Sequence, residues 1–159
     1  MTPTRSFEVI QLLHRHDVRF IVVGMTAGVL QGAPAVTFDL DVLYDREEGN
    51  VLRLASALVE LDAVFRIDPR KLRPDLSHLR SAGHKLLHTN LGTVDFLGSL
   101  DDRSFDEVAS KTVTLDVEGL SVSVLALAEL IEVKRAAGRP KDLAVIPLLE
   151  ATLTRRRRS

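Results

Sequence analysis

The chain has 159 residues, 45% of them hydrophobic, and a formal net charge of −1, which suffices for one compact domain with a buried core. It contains no cysteine, so disulfides, thiolate metal sites and cysteine nucleophiles are excluded, and nothing points to an oxidising compartment. No apolar run approaches a membrane span, and the residues up to Asp17 lack the continuous apolar core of a signal peptide, so a soluble cytoplasmic protein is the expectation.

In chain order, Pro3 to His16 reads as a helix, with Thr2 as its cap, Pro3 in the first turn, and Phe7, Ile10 and Leu13 facing inward. Arg19 to Val23 is a short β-branched strand that Gly24 ends. Thr26 to Gln31 reads as a short helix, Gly32-Ala33-Pro34 as a turn, and Val36 to Tyr44 as a strand. Val51, Leu54, Ala55, Leu58 and Val59 recur at helical spacing and form the clearest amphipathic helix. Ala63 to Ile67 is a candidate strand, followed by a polar, Pro-containing mobile loop from Asp68 to Gly83. Leu86 to Thr89 and Thr93 to Leu97 alternate around Asn90-Leu91-Gly92 as a hairpin. A second hairpin joins Thr112 to Val117 and Leu120 to Val124 through Glu118-Gly119. Two helices follow: Leu125 to Ala137, stopped by Gly138, and one restarted by Pro140 that Pro147 breaks or kinks. Arg155 to Arg158 form a basic tail, 155–159, behind a single domain, 1–154. Its functional reading is a non-specific phosphate contact with RNA or DNA, and its plainer reading is a disordered, solvated end.

The chemistry concentrates where Val22-Val23-Gly24-Met25-Thr26 precedes Phe38-Asp39-Leu40-Asp41-Val42-Leu43. Residues two apart on a strand share a face, so Asp39 and Asp41 present two carboxylates together while Phe38, Leu40 and Val42 face the core. Such carboxylates repel each other unless a cation lies between them, and oxygen ligands suit Mg²⁺ or Mn²⁺. The plainer alternative is the polar face of an edge strand. His78, His84 and His88 lack zinc-site spacing and read as surface histidines, while Arg70 to Arg80 reads either as an RNA contact or as a solvated loop.

Gly24-Met25-Thr26-Ala27, Thr37-Phe38-Asp39-Leu40-Asp41, Val94-Asp95-Phe96, Lys134 and Arg139-Pro140-Lys141-Asp142, in this order, resemble the DNA polymerase β-like nucleotidyltransferase superfamily. More narrowly they are similar to small prokaryotic nucleotidyltransferases of the abortive-infection toxin type, over residues 19 to 150. The resemblance implies a mixed α/β (α+β) domain, a twisted sheet flanked by helices with C-terminal helices, and the transfer of an NMP from an NTP to an acceptor hydroxyl. It implies Asp39, Asp41 and Asp95 as metal ligands, Asp95 serving the acceptor side, and Gly24, Met25 and Thr26 as the phosphate loop. Lys134, at the end of the Leu127, Leu130 and Ile131 stripe, would pair with phosphate or with the aspartates, the alternative being a lysine that snorkels to solvent. Arg139, Lys141 and Asp142 would bind nucleotide phosphates or orient Lys134, the alternative being a solvated helix junction. Two positions depart from the family pattern. Met25 stands where a second glycine or a serine is common, and Pro34-Ala35-Val36-Thr37 lacks the usual arginine. The implied partners are an NTP, a tRNA or protein acceptor, and an antitoxin. The alternatives are a non-catalytic relative acting as a nucleotide sensor or partner-binding subunit, and a phosphatase with a nucleophilic Asp-x-Asp, which the following Val42-Leu43 disfavours.

Overall fold

The alternation of β-branched runs with helical stripes resolves, in the computed structural model, into a single mixed sheet with helices packed on it; residues 2–159 are described. The elements run α1 (Ser6–Arg15), β1 (Phe20–Val23), α2 (Gly24–Leu30), β2 (Leu40–Tyr44), α3 (Glu48–Glu60), β3 (Val64–Phe65) and α4 (Leu76–Arg80). They continue with β4 (His84–Thr89), β5 (Gly92–Leu97), α5 (Phe105–Ala109), β6 (Thr112–Val117), β7 (Leu120–Leu125), α6 (Leu127–Ala137) and α7 (Pro140–Arg158).

The sheet order is β3-β4-β5-β2-β1-β7-β6. Neighbouring strands β1 and β2 pair antiparallel, whereas β2 with β5 and β1 with β7 pair parallel. Parallel pairing requires crossovers and covered faces, and the central strands are correspondingly apolar. Ile21, Val22 and Val23 of β1, Leu40, Val42, Leu43 and Tyr44 of β2, and Val94 and Phe96 of β5 are all buried. Val9, Ile10, Leu12 and Leu13 of α1 join this core, as do Val51, Leu54, Ala57 and Leu58 of α3. At about 25 cal/mol per Å² of apolar surface removed from water, these side chains dominate the stabilisation.

Both hairpins form where the alternation places them, with β4 against β5 and β6 against β7. Gly138 takes a left-handed conformation (φ 66°) and ends α6, as a C-terminal glycine should.

The structure corrects several boundaries. Helix α1 starts at Ser6 because the preceding segment is pinned elsewhere: the Thr4 N–H donates to Phe38 O and the Arg5 N–H to Leu91 O, so Thr2 and Pro3 lie outside the helix. Strand β2 starts at Leu40, leaving Val36 and Phe38 exposed rather than in the core. Val59 lies on the solvent side of α3. The stretch expected as a mobile loop contains α4, whose capping box joins Asp75 and His78 and whose Leu79 is fully buried. Pro147 sits inside a continuous α7, and this helix carries Arg155 to Arg158 in its last turn, so the tail is helical rather than disordered. Helix α5, unread in the sequence, is announced by a second capping box, Ser104 with Glu107.

Candidate active site

Register brings the carboxylates together. Asp41 of β2 lies opposite Asp95 of β5 on one side and Val23 of β1 on the other, and directly paired residues share a face. Leu86 of β4 pairs with Asp95, and the Arg66 N–H, one residue past β3, donates to Leu86 O at 2.9 Å. One row across the sheet therefore reads Val23, Asp41, Asp95, Leu86, Arg66. Asp39 falls in the bend just before β2, outside the strand where the sequence placed it.

The carboxyl of Asp41 is pushed up to about 7, first by burial, then by the charge of Asp95 and a hydrogen bond with it, and by the charge of Asp39; Lys134 opposes the rise. Oδ1 of Asp95 is buried without a hydrogen bond of good geometry, and its charged contact is Arg66 Nη2 at 3.0 Å. Asp39 is engaged differently: its Oδ1 accepts a hydrogen bond from the Thr93 hydroxyl, and its backbone carbonyl accepts from Thr26 Oγ1 (3.2 Å) and Thr37 Oγ1 (3.0 Å).

Gly24 is what allows strand, turn and carboxylate to meet. It adopts φ +64°, and a Cβ there would fall well inside contact distance of Asp41 Oδ2. Met25 packs partly buried against the core, and Thr26 is buried with its hydroxyl directed to the Asp39 carbonyl rather than into open space.

Lys134 reaches inward, as the apolar stripe of α6 suggested, and its Nζ lies 3.4 Å from Oδ1 of Asp142. Asp142 is only 1% exposed and also accepts from Arg139 Nε at 2.6 Å. The Arg139 hydrogen bond, then Lys134, hold its carboxyl below the usual carboxylate range against the opposing effect of burial. Arg139 and Asp142 thus form one ionic cluster with Lys134, joining the start of α7 to α6, while Lys141 is exposed beside it.

Among the described residues, no three His, Cys, Asp or Glu side chains are gathered as a metal cluster. The donor chemistry still suits a hard divalent cation at Asp41 and Asp95. Two adjacent carboxylate side chains, Asp41 resisting ionisation and Asp95 offset on its buried Oδ1 by Arg66 alone, are oxygen donors of the kind a hard divalent cation takes. Two of the three histidines lie elsewhere: His78 caps α4 and His84 is exposed at the start of β4, whereas His88, exposed on the same strand, pairs with Thr93.

Sequence reasoning missed Arg66 and Thr93, and read His88 only as a surface histidine. The register of β3, β4 and β5 brings them beside the carboxylates, and strand register between distant segments leaves no local signal. They line a cleft of about 600 Å³ that reaches Asp39 and is bordered by Thr2, Pro3 and Arg5. A separate hollow of about 330 Å³ between β1, β7 and α5 touches none of the expected site residues.

No protein-family model and no curated protein sequence matches the chain. Solved structures do. A Thermotoga maritima protein assigned to the nucleotidyltransferases aligns over 92% of this chain and 94% of its own, at 16% identity and a TM-score of 0.56. The lincosamide antibiotic adenylyltransferase LnuA, solved with lincomycin bound, aligns over 96% and 99%, at 13% identity and 0.66. The antibiotic-resistance factor ANT(2'')-Ia aligns over 92% and 81%, at 11% identity and 0.57. The chain therefore shares the fold of these structures, which in this protein is a seven-stranded mixed sheet flanked by helices.

Proposed function

We propose that the protein is a nucleotidyltransferase that moves an NMP from an NTP to an acceptor hydroxyl. The observation that carries this reading is the alignment of Asp41 with Asp95 on adjoining parallel strands, against a glycine whose missing side chain leaves room for Asp41. A domain gains nothing in stability from crowding carboxylates this way. Two of the similar structures are an adenylyltransferase and an antibiotic-resistance factor, in keeping with such transfer.

Asp41 and Asp95 would hold Mg²⁺ or Mn²⁺, with Asp39 beside them; the metal would neutralise phosphate charge and polarise the α-phosphoryl group. The chain's own residues do the rest. The open backbone at Gly24 and Met25 admits the polyphosphate close to the carboxylates. Lys134, already felt electrostatically at Asp41 and steadied by Asp142, offsets charge on the phosphates. Asp95 receives the proton of the attacking hydroxyl. The acceptor oxygen bonds to the α-phosphorus, and pyrophosphate leaves. A tRNA or protein acceptor and a toxin role with an antitoxin partner are finer readings that the family resemblance supports and no geometry here supports.

A second reading draws on a specific observation: Arg66 holds Asp95 and Thr93 holds Asp39, as in a fold kept for binding alone. The two diverge in Mg²⁺-dependent NTP binding, followed by calorimetry. The enzyme reading predicts binding that needs Mg²⁺ and weakens at least tenfold in Asp41→Asn. Equal binding with and without Mg²⁺ would favour the sensor.

A further inference from the structure

The cleft beside Asp39 has a charge pattern that restricts what can enter it. Asp39 is the one carboxylate among its lining residues, and it faces Thr93. Arg66 lines it too, with His88, the register partner of Thr93, and with Arg5, held by Glu8. A polyamine acceptor needs several carboxylates to replace the water around its ammonium groups, and this cleft does not offer them.

Arg66 is the residue that joins cleft and chemistry. One of its terminal nitrogens contacts Asp95, and the other lies at the limit of hydrogen bonding, 3.5 Å, from Leu87 O. A guanidinium has five N–H donors, so part of its fork is free for a planar or tetrahedral oxyanion. Its side chain is 29% exposed, enough to be reached from the cleft.

Size can be argued as well. A volume of about 600 Å³ matches small-molecule pockets. A polynucleotide would need a track of unpaired cations leading away from the site. The nearby arginines are already matched, Arg70 with Asp68, Arg73 with Asp62 and Arg80 with Glu48, which leaves Lys71 beside Arg66 and His88, one cation rather than a track. The basic turn of α7 lies at the wrong end of α2, where Arg156 donates to the carbonyl of Gln31, far along the helix from Gly24.

We propose that this cleft is the acceptor pocket and that it takes a small hydroxyl compound bearing one carboxylate or phosphate, anchored by Arg66. This rests on the nucleotidyltransferase reading. The acceptor's hydroxyl oxygen forms the new bond to the α-phosphorus, the bond to the pyrophosphate oxygen breaks, and the hydroxyl proton passes to Asp95.

The test follows the imidazole signal of His88 by NMR in the full chain, without nucleotide, so that binding is read independently of transfer. Glucose 6-phosphate, gluconate, glucose, inorganic phosphate, kanamycin and total tRNA serve as probes. The proposal predicts a saturable His88 shift with glucose 6-phosphate or gluconate, none with glucose, and a weaker one with inorganic phosphate. A response to one of the two sugars alone separates a phosphate from a carboxylate. In Arg66→Gln the midpoint should rise at least tenfold, with Arg66→Lys recovering part of it, while the signals of His14, His16, His78 and His84 report an intact fold. No His88 response to either anion at about 10 mM, ten times the upper end of usual KM values, would overturn it. So would an equal response to kanamycin, or a response to tRNA at lower concentration than to either sugar anion. Label transfer from an NTP, assayed separately, distinguishes the two levels. An intact His88 titration with no transfer to any acceptor defeats the nucleotidyltransferase reading and the acceptor role with it, whereas transfer without a His88 response defeats only the pocket.

Discussion

At Gly24 one absent methyl group sets the spacing between the turn after β1 and Asp41. Alanine there would face a left-handed backbone cost of about 1 to 2 kcal/mol and would push the Asp41 carboxylate aside. Because misplacement by about 1 Å costs on the order of 100-fold in rate, Gly24→Ala should lose transfer by roughly that factor yet still fold. Denaturant unfolding beside an activity assay checks this, and a fully active variant would remove the loop from the site. Gly24 and Asp41 stood out in the sequence because each sits in a short apolar strand or at its end, whereas Asp95 stood out only through the family resemblance. Arg66 was not legible, since its place depends on pairing between segments far apart in the chain.

A second residue contributes through pH. Lys85 is almost wholly buried, with its ammonium donating to Ser81 O and Gly83 O and lying 5.3 Å from the centre of the Tyr44 ring. Burial first, and the charge of Arg46 second, lower its pKa to about 8 from 10.5. Between those values the unfolded chain holds a proton that the folded protein has released, so stability should rise as pH increases through this window. Lys85→Met should flatten the rise, measured as the denaturation midpoint from pH 7 to 10.5. An unchanged slope in the variant would show that Lys85 is not its source.

At the level of elements, the turn into β1 is tied to the end of β2 by one side chain of α3. Asn50 is fully buried; its Oδ1 accepts from the Arg19 N–H at 2.7 Å, and its Nδ2 donates to Arg19 O and Asp45 O. Asn50→Ala leaves the Arg19 N–H and the Asp45 carbonyl without this partner, while Arg19 O keeps the Asp45 N–H, and should cost about 3 kcal/mol. Thermal and denaturant unfolding read this directly, and a loss below about 1 kcal/mol would mean that water replaces the amide. Asn50 drew no reading from the sequence, because its partners are brought close only by the fold. Helix extents were misread for a related reason. Pro147 argues locally for a break, but packing of α7 on α6, with Ile146 and Leu149 buried, carries the helix through it. The capping boxes at Asp75 and Ser104 were present in the sequence and would have revealed α4 and α5 had the polar stretches been searched for them.

For the whole molecule, sheet order matters more than any single helix. The strands that bring Gly24, Asp41 and Asp95 together, β1, β2 and β5, are the three central ones, so the candidate site stands on the most deeply packed part of the sheet. Loops and hairpins toward the edges then shape the cleft beside Asp39 without disturbing it. No described helix is long and apolar enough to cross a membrane. The mixed sheet flanked by helices was foreseeable from alternating strand and helix signals; its order, and so the cleft beside Asp39, was not, because parallel pairing of β2 with β5 spans some fifty residues.

The most direct test of the central claim is label transfer. The purified protein is incubated with Mg²⁺, each α-³²P-labelled NTP and, in turn, small-molecule acceptors, RNA and protein, with Asp41→Ala as the control. The account predicts label on an acceptor from at least one NTP, lost in the variant while its fold persists. Label that survives in Asp41→Ala, or its absence with every NTP and acceptor class in a folded protein that binds Mg²⁺ and NTP, would contradict it.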